Sequence, residues 1–391
     1  MSKLDKLLRE LCPDGVEHKK LVDAVSIERG KRVVRSQLSI SGKYPVYQNS
    51  LTPLGYHTDY NYNANTTFII VAGAAGEIGF SDKAFWAADD CFTVVCPENV
   101  LNRYIYHLLL NNQNQLASKV RKASIPRLSK SAIENLVIPI PPLDVQREIV
   151  RILDNFTNLT AELAAELTAR KMQYSYYRDN LLSFNMPVSK KKIGEITRVF
   201  SAARVHKNEW TQEGVPFYRS SDVISKFNGV ENSRGKAYIS FDLYKRLSAK
   251  SGKIMKDDIL ITGGGTIGIP YVVPSDEPIY VKDADLLCIQ KSKEFNSRFL
   301  YHYFLSTEFR KYLENITHNA TIAHYTISQI ENTPVPLPPL DVQNRIVNVL
   351  DNFEKICSDL NIGLPAEIEA RQKQYEYYRD KLLTFKEVAA T

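Results

Sequence analysis

Pro139-Ile-Pro-Pro-Leu-Asp-Val-Gln146 and Pro336-Leu-Pro-Pro-Leu-Asp-Val-Gln343 are one segment written twice, 197 residues apart. Ile152-Leu-Asp-Asn-Phe156 returns at the same offset as Val349-Leu-Asp-Asn-Phe353. Gln173-Tyr-Ser-Tyr-Tyr-Arg-Asp-Asn-Leu-Leu182 returns 201 residues on, as Gln374-Tyr-Glu-Tyr-Tyr-Arg-Asp-Lys-Leu-Leu383, so the second copy has gained four residues in between. A period near 200 is too long for a solenoid and marks a tandem domain duplication. Fainter echoes cover the bodies that lie before each connector. Arg103-Tyr-Ile-Tyr-His107 matches Arg298-Phe-Leu-Tyr-His302, and Gly76-Glu-Ile-Gly79 matches Gly265-Thr-Ile-Gly268. Asp5-Lys-Leu-Leu8 echoes the connector tails at Asp179 and Asp380, so the chain reads as opening on the tail of a connector.

The connectors read as helices. Each opens with prolines and then Asp144 or Asp341, the expected N-caps. Apolar residues follow at Val145, Ile149, Ile152, Phe156, Leu159 and Leu163, and again at Val342, Ile346, Val349, Phe353, Ile356 and Leu360. The spacing of 4, 3, 4, 3, 4 is that of a coiled-coil seam. Two such helices in one chain most simply pack on each other, antiparallel, relating the bodies by a pseudo-twofold axis; the alternative is that each packs on its own body. Gly363 and Pro365 should break the second helix, whereas the first runs on through Thr160-Ala-Glu-Leu163 and Ala164-Ala-Glu-Leu167.

The expected organisation is therefore a body over residues 1–143, a connector over 144–187, a second body over 188–340 and a second connector over 341–391. Thr67–Ala72, Cys91–Cys96, Asp258–Thr262 and Leu286–Gln290 read as buried strands. Leu101–Leu110 and residues 296–314 read as helices, and each body ends in a short capped helix, Ser131…Glu134 and Ser328…Glu331. The fold class is α+β: two similar bodies separated by two long helices.

The net charge of +6 is unevenly spread: the bodies carry +4 and +5, the connectors −1 and −2. A weak basic excess suits nucleic-acid binding without proving it. Five cysteines, Cys12, Cys91, Cys96, Cys288 and Cys357, form no Cys-x-x-Cys pair and read as buried thiols in a reducing compartment, not as a zinc site or disulfides. The N-terminus lacks the apolar region of a signal peptide and no run is long enough for a membrane span, so a cytoplasmic location is expected.

Catalytic signatures are missing. Gly263-Gly-Gly-Thr-Ile-Gly268 formally matches a dinucleotide fingerprint, but Ile269-Pro270 cannot open the helix that would cradle a phosphate, so a turn between strands is expected. There is no Gly-x4-Gly-Lys-Ser/Thr loop, no Asn/Asp-Pro-Pro-Tyr/Phe methyltransferase segment and no recognisable triad. Pro13-Asp14…Glu17-His-Lys19 is too tightly spaced to be a nuclease metal site. No metal site is expected.

Phosphate contacts need Lys and Arg, and base edges need Arg, Asn, Gln, Ser or Thr on exposed loops. The candidates in the first body are Lys31, Arg32 and Arg35; Gln48, Asn49 and Ser50; and Lys119, Arg121, Lys122 and Arg127. The second body offers Arg198, Arg204, His206 and Lys207; Arg219, Ser220 and Ser221; and His318, Asn319 and His324.

The Pro-Pro-Leu-x-x-Gln helix start, the Gln-Tyr-x-Tyr-Tyr-Arg-Asp tail and the two diverged bodies together resemble the specificity subunits of type I restriction-modification enzymes. The resemblance covers nearly the whole chain. It implies that each body is a target recognition domain reading one half of a bipartite double-stranded DNA site. It further implies that the connectors form an antiparallel helical spacer docking two modification subunits, and that restriction subunits join the complex. Cofactors would lie in those partners, S-adenosylmethionine for adenine methylation and ATP with Mg for translocation, and none in this chain. Two rivals are a specificity subunit of a related system that cleaves without translocating, and a coiled-coil scaffold without DNA affinity.

Overall fold

The computed structural model describes residues 2–39, 41–184, 188–230, 232–317, 324–359 and 362–388. The chain forms two compact units, residues 1–162 with 369–391 and residues 163–368. Each connector therefore contributes its start to one unit and its tail to the other.

In the first unit the β-branched and aromatic run Thr66–Ile70 buries four of its five side chains at the centre of an antiparallel sheet. The sheet order is Ser26–Arg29, Cys91–Val95, Thr66–Ile70, Ile78–Ser81. Helix Asn102–Asn111 turns Tyr104, Ile105, Leu108 and Leu109 into the same core. A second sheet places Tyr44–Tyr47 between Gly55–His57 and Trp86–Ala87, the latter pairing parallel.

The second unit repeats this plan. Its antiparallel sheet runs Val199–Ser201, Leu286–Ile289, Ile259–Thr262, Pro270–Val272. Val215–Tyr218 pairs parallel with Tyr280–Val281, as Tyr44–Tyr47 does with Trp86–Ala87. Helix Ser297–Leu305 buries Phe299, Leu300, Tyr303 and Phe304. The architecture is α+β, with two similar bodies as expected.

The first connector is one uninterrupted helix, Leu143–Leu182. The second is two helices, Leu340–Ser358 and Leu364–Leu382. The break falls at Gly363, whose α-carbon lies against the carbonyls of Lys355 and Asp359; a β-carbon there would come within 2.6 Å of both oxygens.

Several sequence expectations need correction. Asp144 and Asp341 are not N-caps but lie inside the first turn, where their charge favours the helix dipole; Pro339 caps the second connector without a side-chain bond. The short helices start earlier than the Ser131 and Ser328 boxes imply. Ser129 caps Lys130–Glu134, and Thr326 caps Ile327–Glu331 in a box closed by Gln329. The helix expected over 296–314 is two, Ser297–Leu305 and Thr307–Thr317, separated at Ser306. The glycine echo is shifted by three residues. Gly76 N–H bonds Ile70 O as Gly268 N–H bonds Thr262 O, and the left-handed pairs are Gly73 with Gly76 and Gly265 with Gly268.

The seam is the largest correction. Val145 and Ile149 lie in the core of the first unit and Ile346 in that of the second, with Ile152, Phe156 and Val342 packed against those cores. Leu153, Val347 and Leu350, outside the heptad pattern, are buried with them. Leu163 is buried, but Leu159, Val349 and Ile356 are exposed; Leu360 lies outside the described residues. The first turns of each connector thus pack on their own body, because an amphipathic stripe specifies burial without specifying the covering surface. Contacts between the two connectors occur farther along. Phe156 stacks on Tyr378 in the first unit, with ring centroids 5.2 Å apart, and Phe353 stacks on Tyr177 in the second, 5.3 Å apart.

Candidate nucleic-acid interface

The repeated motifs build a frame. Gln146 is fully buried: its Oε1 accepts from Leu101 N–H at 2.8 Å and its Nε2 donates to Pro141 O at 2.8 Å and Asn99 O at 3.0 Å. Gln343 does the same with Asn296 N–H, Pro338 O and Glu294 O. The glutamine of the Pro-Pro-Leu-x-x-Gln motif therefore ties the connector start to the start of the body's core helix.

Deeper along that helix, Arg103 and His107 both bond Asp154, each at 2.8 Å, and the Tyr375 hydroxyl meets His107 Nδ1 at 3.2 Å. In the second unit Arg298 and His302 bond Asp351 at 2.7 Å, and the Tyr174 hydroxyl meets His302 Nδ1 at 2.9 Å. Burial pushes both imidazoles below their usual value despite the aspartates. The rings are therefore neutral near pH 7, with Nε2 donating to the carboxylate and Nδ1 accepting from the tyrosine. Burial works to raise both aspartates, but the histidine and arginine bonds outweigh it, holding Asp154 below its usual value and Asp351 at about 2.

His302, Asp351 and Glu354 could each offer one ligand atom within 4.8 Å of the others, the kind of cluster that holds a cation. Arg298, however, bonds both carboxylates and already supplies the positive charge, so the cluster is an ion-pair network. The five cysteines are free thiols, and burial raises Cys91 and Cys96 to about 12, far from reactive thiolates.

On this frame three segments converge in each unit. In the first, Ala74 N–H bonds Asn49 O at 3.0 Å, which sets the Gln48–Ser50 loop beside the Gly73–Gly76 turn. Gly73 N–H bonds Pro126 O, Ala72 bridges Arg127, and Arg127 bridges Arg121. Exposed Asn49, Lys119, Arg121, Lys122 and Arg127 thus surround one turn. Lys31 joins from the other side: its N–H bonds Ala87 O at 2.9 Å, and Ala88 N–H bonds Tyr47 O just before Gln48. Arg32 and Arg35 are exposed on the following segment, and among the described residues no bond ties them to this cluster.

The second unit repeats the convergence. Tyr325 N–H bonds Gly263 O and His324 bridges Gly264, matching Leu128 and Arg127 at the 197-residue offset. Gly263 N–H and Ser220 Oγ both bond Asp285 O at 2.8 Å. The result is a cleft of about 510 Å³ lined by Lys207, Ser221, Arg234, Gly264, Gly265 and Lys282, among others. Arg204, His206 and Arg198 are exposed away from its lining. Asn319 and His318 lie outside the described residues.

One candidate is overturned. Arg219 is 8% exposed and committed to Asp222, at 2.8 and 3.0 Å, and to Gly235 O at 2.5 Å, so its guanidinium is not free to meet a base. Sequence reasoning missed Arg234 and Lys282. The signal for the first was Ser233-Arg-Gly-Lys236, a basic stretch broken by glycine.

Comparison with known proteins bears on this arrangement. A family described as "Type I restriction modification DNA specificity domain" matches twice, over residues 13–170 and 185–370. A putative type I restriction enzyme specificity subunit of Haemophilus influenzae, S.HindORF215P, is 33% identical over 98% of both chains. The EcoR124I/EcoR124II specificity subunit of Escherichia coli is 31% identical over 79% of this chain and 77% of its own. The crystal structure of a type I S subunit from M. genitalium shares the fold, with a TM-score of 0.61 at 16% identity over 94% of this chain and 96% of that one. With two copies of the family's domain, each on the same kind of frame, and a relative 33% identical over 98% of its length, the chain belongs to the type I restriction-modification specificity subunits.

Proposed function

We propose that each unit reads one half of a bipartite double-stranded DNA target. The observation that carries this is the repeated convergence of three loop segments, presented by the same hydrogen-bonded frame but with different side chains. Asn49, Arg121 and Arg127 stand in one unit; Lys207, Ser221, Arg234 and His324 stand in the other. Different side chains on a common frame suit two modules that read different sequences, and they do not suit a scaffold without DNA affinity, which has no use for the difference. As a specificity subunit the chain is the recognition component, not a catalytic one.

In this reading the connectors pair as an antiparallel helical spacer, supported by the Phe156–Tyr378 and Phe353–Tyr177 stacks, and two modification subunits dock on it. Those subunits carry S-adenosylmethionine, and restriction subunits bring ATP and Mg. The test is to replace residues 16–138 with the equivalent body of a relative and map methylation in cells that carry the complex. One half-site should change and the other stay. If both halves change together, or neither does, the modular reading is wrong.

A further inference from the structure

The cleft of the second unit contains four cationic side chains, and the structure gives them unequal freedom. Arg219 is buried against Asp222, and Lys282 is paired with Asp285 at 2.6 Å. Lys207 and Arg234 are exposed, and neither side chain makes a hydrogen bond or ion pair among the described residues.

Arg234 stands on a turn tied to the Arg219–Asp222 pair. Asn232 Nδ2 donates to Asp222 Oδ1 at 2.6 Å and to Ser221 Oγ at 3.1 Å, while Asn232 Oδ1 accepts Arg234 N–H at 3.0 Å. Arg219 donates to Gly235 O on the other side, and Gly235 itself is left-handed, closing on Asn232 O. The Arg219–Asp222 pair therefore holds the turn on both flanks of Arg234, which lines the cleft and is exposed. Gly264 and Gly265 line the same cleft with bare backbone; a β-carbon on Gly265 would meet nothing within 4 Å, so there is room for a ligand edge.

An unpaired guanidinium carried on a turn whose backbone is held at both flanks can present its planar fork to the two acceptors of a guanine edge, O6 and N7. We propose that Arg234 reads a guanine in the half-site of the second unit and that the Arg219–Asp222 pair positions it. This rests on the reading of the second unit as a DNA-recognition body. Arg234 is then a specificity-determining residue, and Arg219 acts only through it.

The experiment uses the full chain assembled with its modification subunits and duplexes that carry the methylation-mapped target. Arg234→Ala should lower the preference for guanine at one position of one half-site by roughly 10- to 100-fold, leaving the other half-site intact. Replacing that guanine by 7-deazaguanine, which lacks N7, should weaken binding of the unaltered protein and not of the variant. Asp222→Ala should relax the same position, and the double variant should relax it no further; recognition of the first half-site reports that each variant is folded. A uniform loss across all sequences with a shallower salt dependence would make Arg234 a phosphate contact and overturn the proposal. So would a second half-site without guanine. Replacement of the whole second body tests the underlying reading separately: if that swap changes one half-site while Arg234→Ala changes none, only the present inference fails.

Discussion

Inserting a third tetrapeptide after Leu167 measures whether the first connector sets the distance between half-sites. Thr160-Ala-Glu-Leu163 and Ala164-Ala-Glu-Leu167 lie within the unbroken helix Leu143–Leu182, and Ala161, Glu162, Ala164, Ala165 and Glu166 are exposed. Four further residues continue the helix without entering either core, and the anchors at Asp154 and Tyr174 stay on their own sides of the insertion. The helix lengthens by about 6 Å and turns by about 400°, a net rotation of about 40°. One base pair of B-DNA rises about 3.4 Å and turns about 34–36°. The added twist thus corresponds to about one base pair, and the added length to nearly two. Rotation is the stricter requirement, because a body turned out of phase faces away from the groove, whereas a tilt of the spacer absorbs a few ångströms. The expected result is a target with both half-sites unchanged and the unread spacer longer by one base pair. Methylation mapping of cells that carry the variant with its partner subunits reads this directly. An unchanged spacer, or an altered half-site, would refute the assignment of the ruler to this helix.

Neutralising Lys119, Arg121 and Lys122 together should weaken binding to all sequences alike and reduce the salt slope by up to about 2.7 in log–log terms, if each touches a phosphate; an unchanged slope removes them from the interface. Gln146→Leu leaves Leu101 N–H and the carbonyls of Pro141 and Asn99 without their partner and should cost about 2–4 kcal/mol, read as a lower urea midpoint at unchanged slope. Stability should fall as pH drops below about 6.5, because the unfolded chain protonates histidines that burial keeps neutral in the fold, at most about 1.4 kcal/mol per pH unit for each of His107 and His302. A further loss should begin below about pH 4, where the lowered Asp154 and Asp351 favour the folded state less and less, ending for Asp351 near pH 2. Urea midpoints across pH check both steps, and His302→Gln should flatten the first. The purified chain should show no methyltransferase, nuclease or ATPase turnover; activity that co-purifies through every step would contradict this.

The duplication and the connectors were legible because identical segments need no knowledge of contacts to be recognised. The α+β bodies were legible from buried runs such as Thr66–Ile70. The heptad spacing of Val145 and Ile149 was real, but periodicity describes one helix face and is silent about the surface that covers it. Arg103 and His107 stood out as a matched pair, yet their role required Asp154 and Tyr375, which lie 51 and 272 positions beyond Arg103 in the chain. Among the loop residues, charge marks Arg219 as a candidate, but charge alone does not show that Asp222, three positions later, occupies its guanidinium. Arg234 is not legible in the sequence, because its significance comes from the turn that holds it, and that turn is built by residues 219, 222 and 232 together.

The anchoring set has a consequence for inheritance. Both bodies grip the connectors through the same chemical groups: an arginine and a histidine on an aspartate, a tyrosine on the histidine, and a glutamine under the prolines. None of these groups lies in the converging loops. A genetic crossover with its breakpoints inside residues 139–146 and 336–343 would therefore carry a whole set of loops into a new chain and find every joint already matched. Such exchange alters what is recognised without re-evolving how the pieces fit, and the second tyrosine-histidine joint is as ready to receive a foreign body as the first.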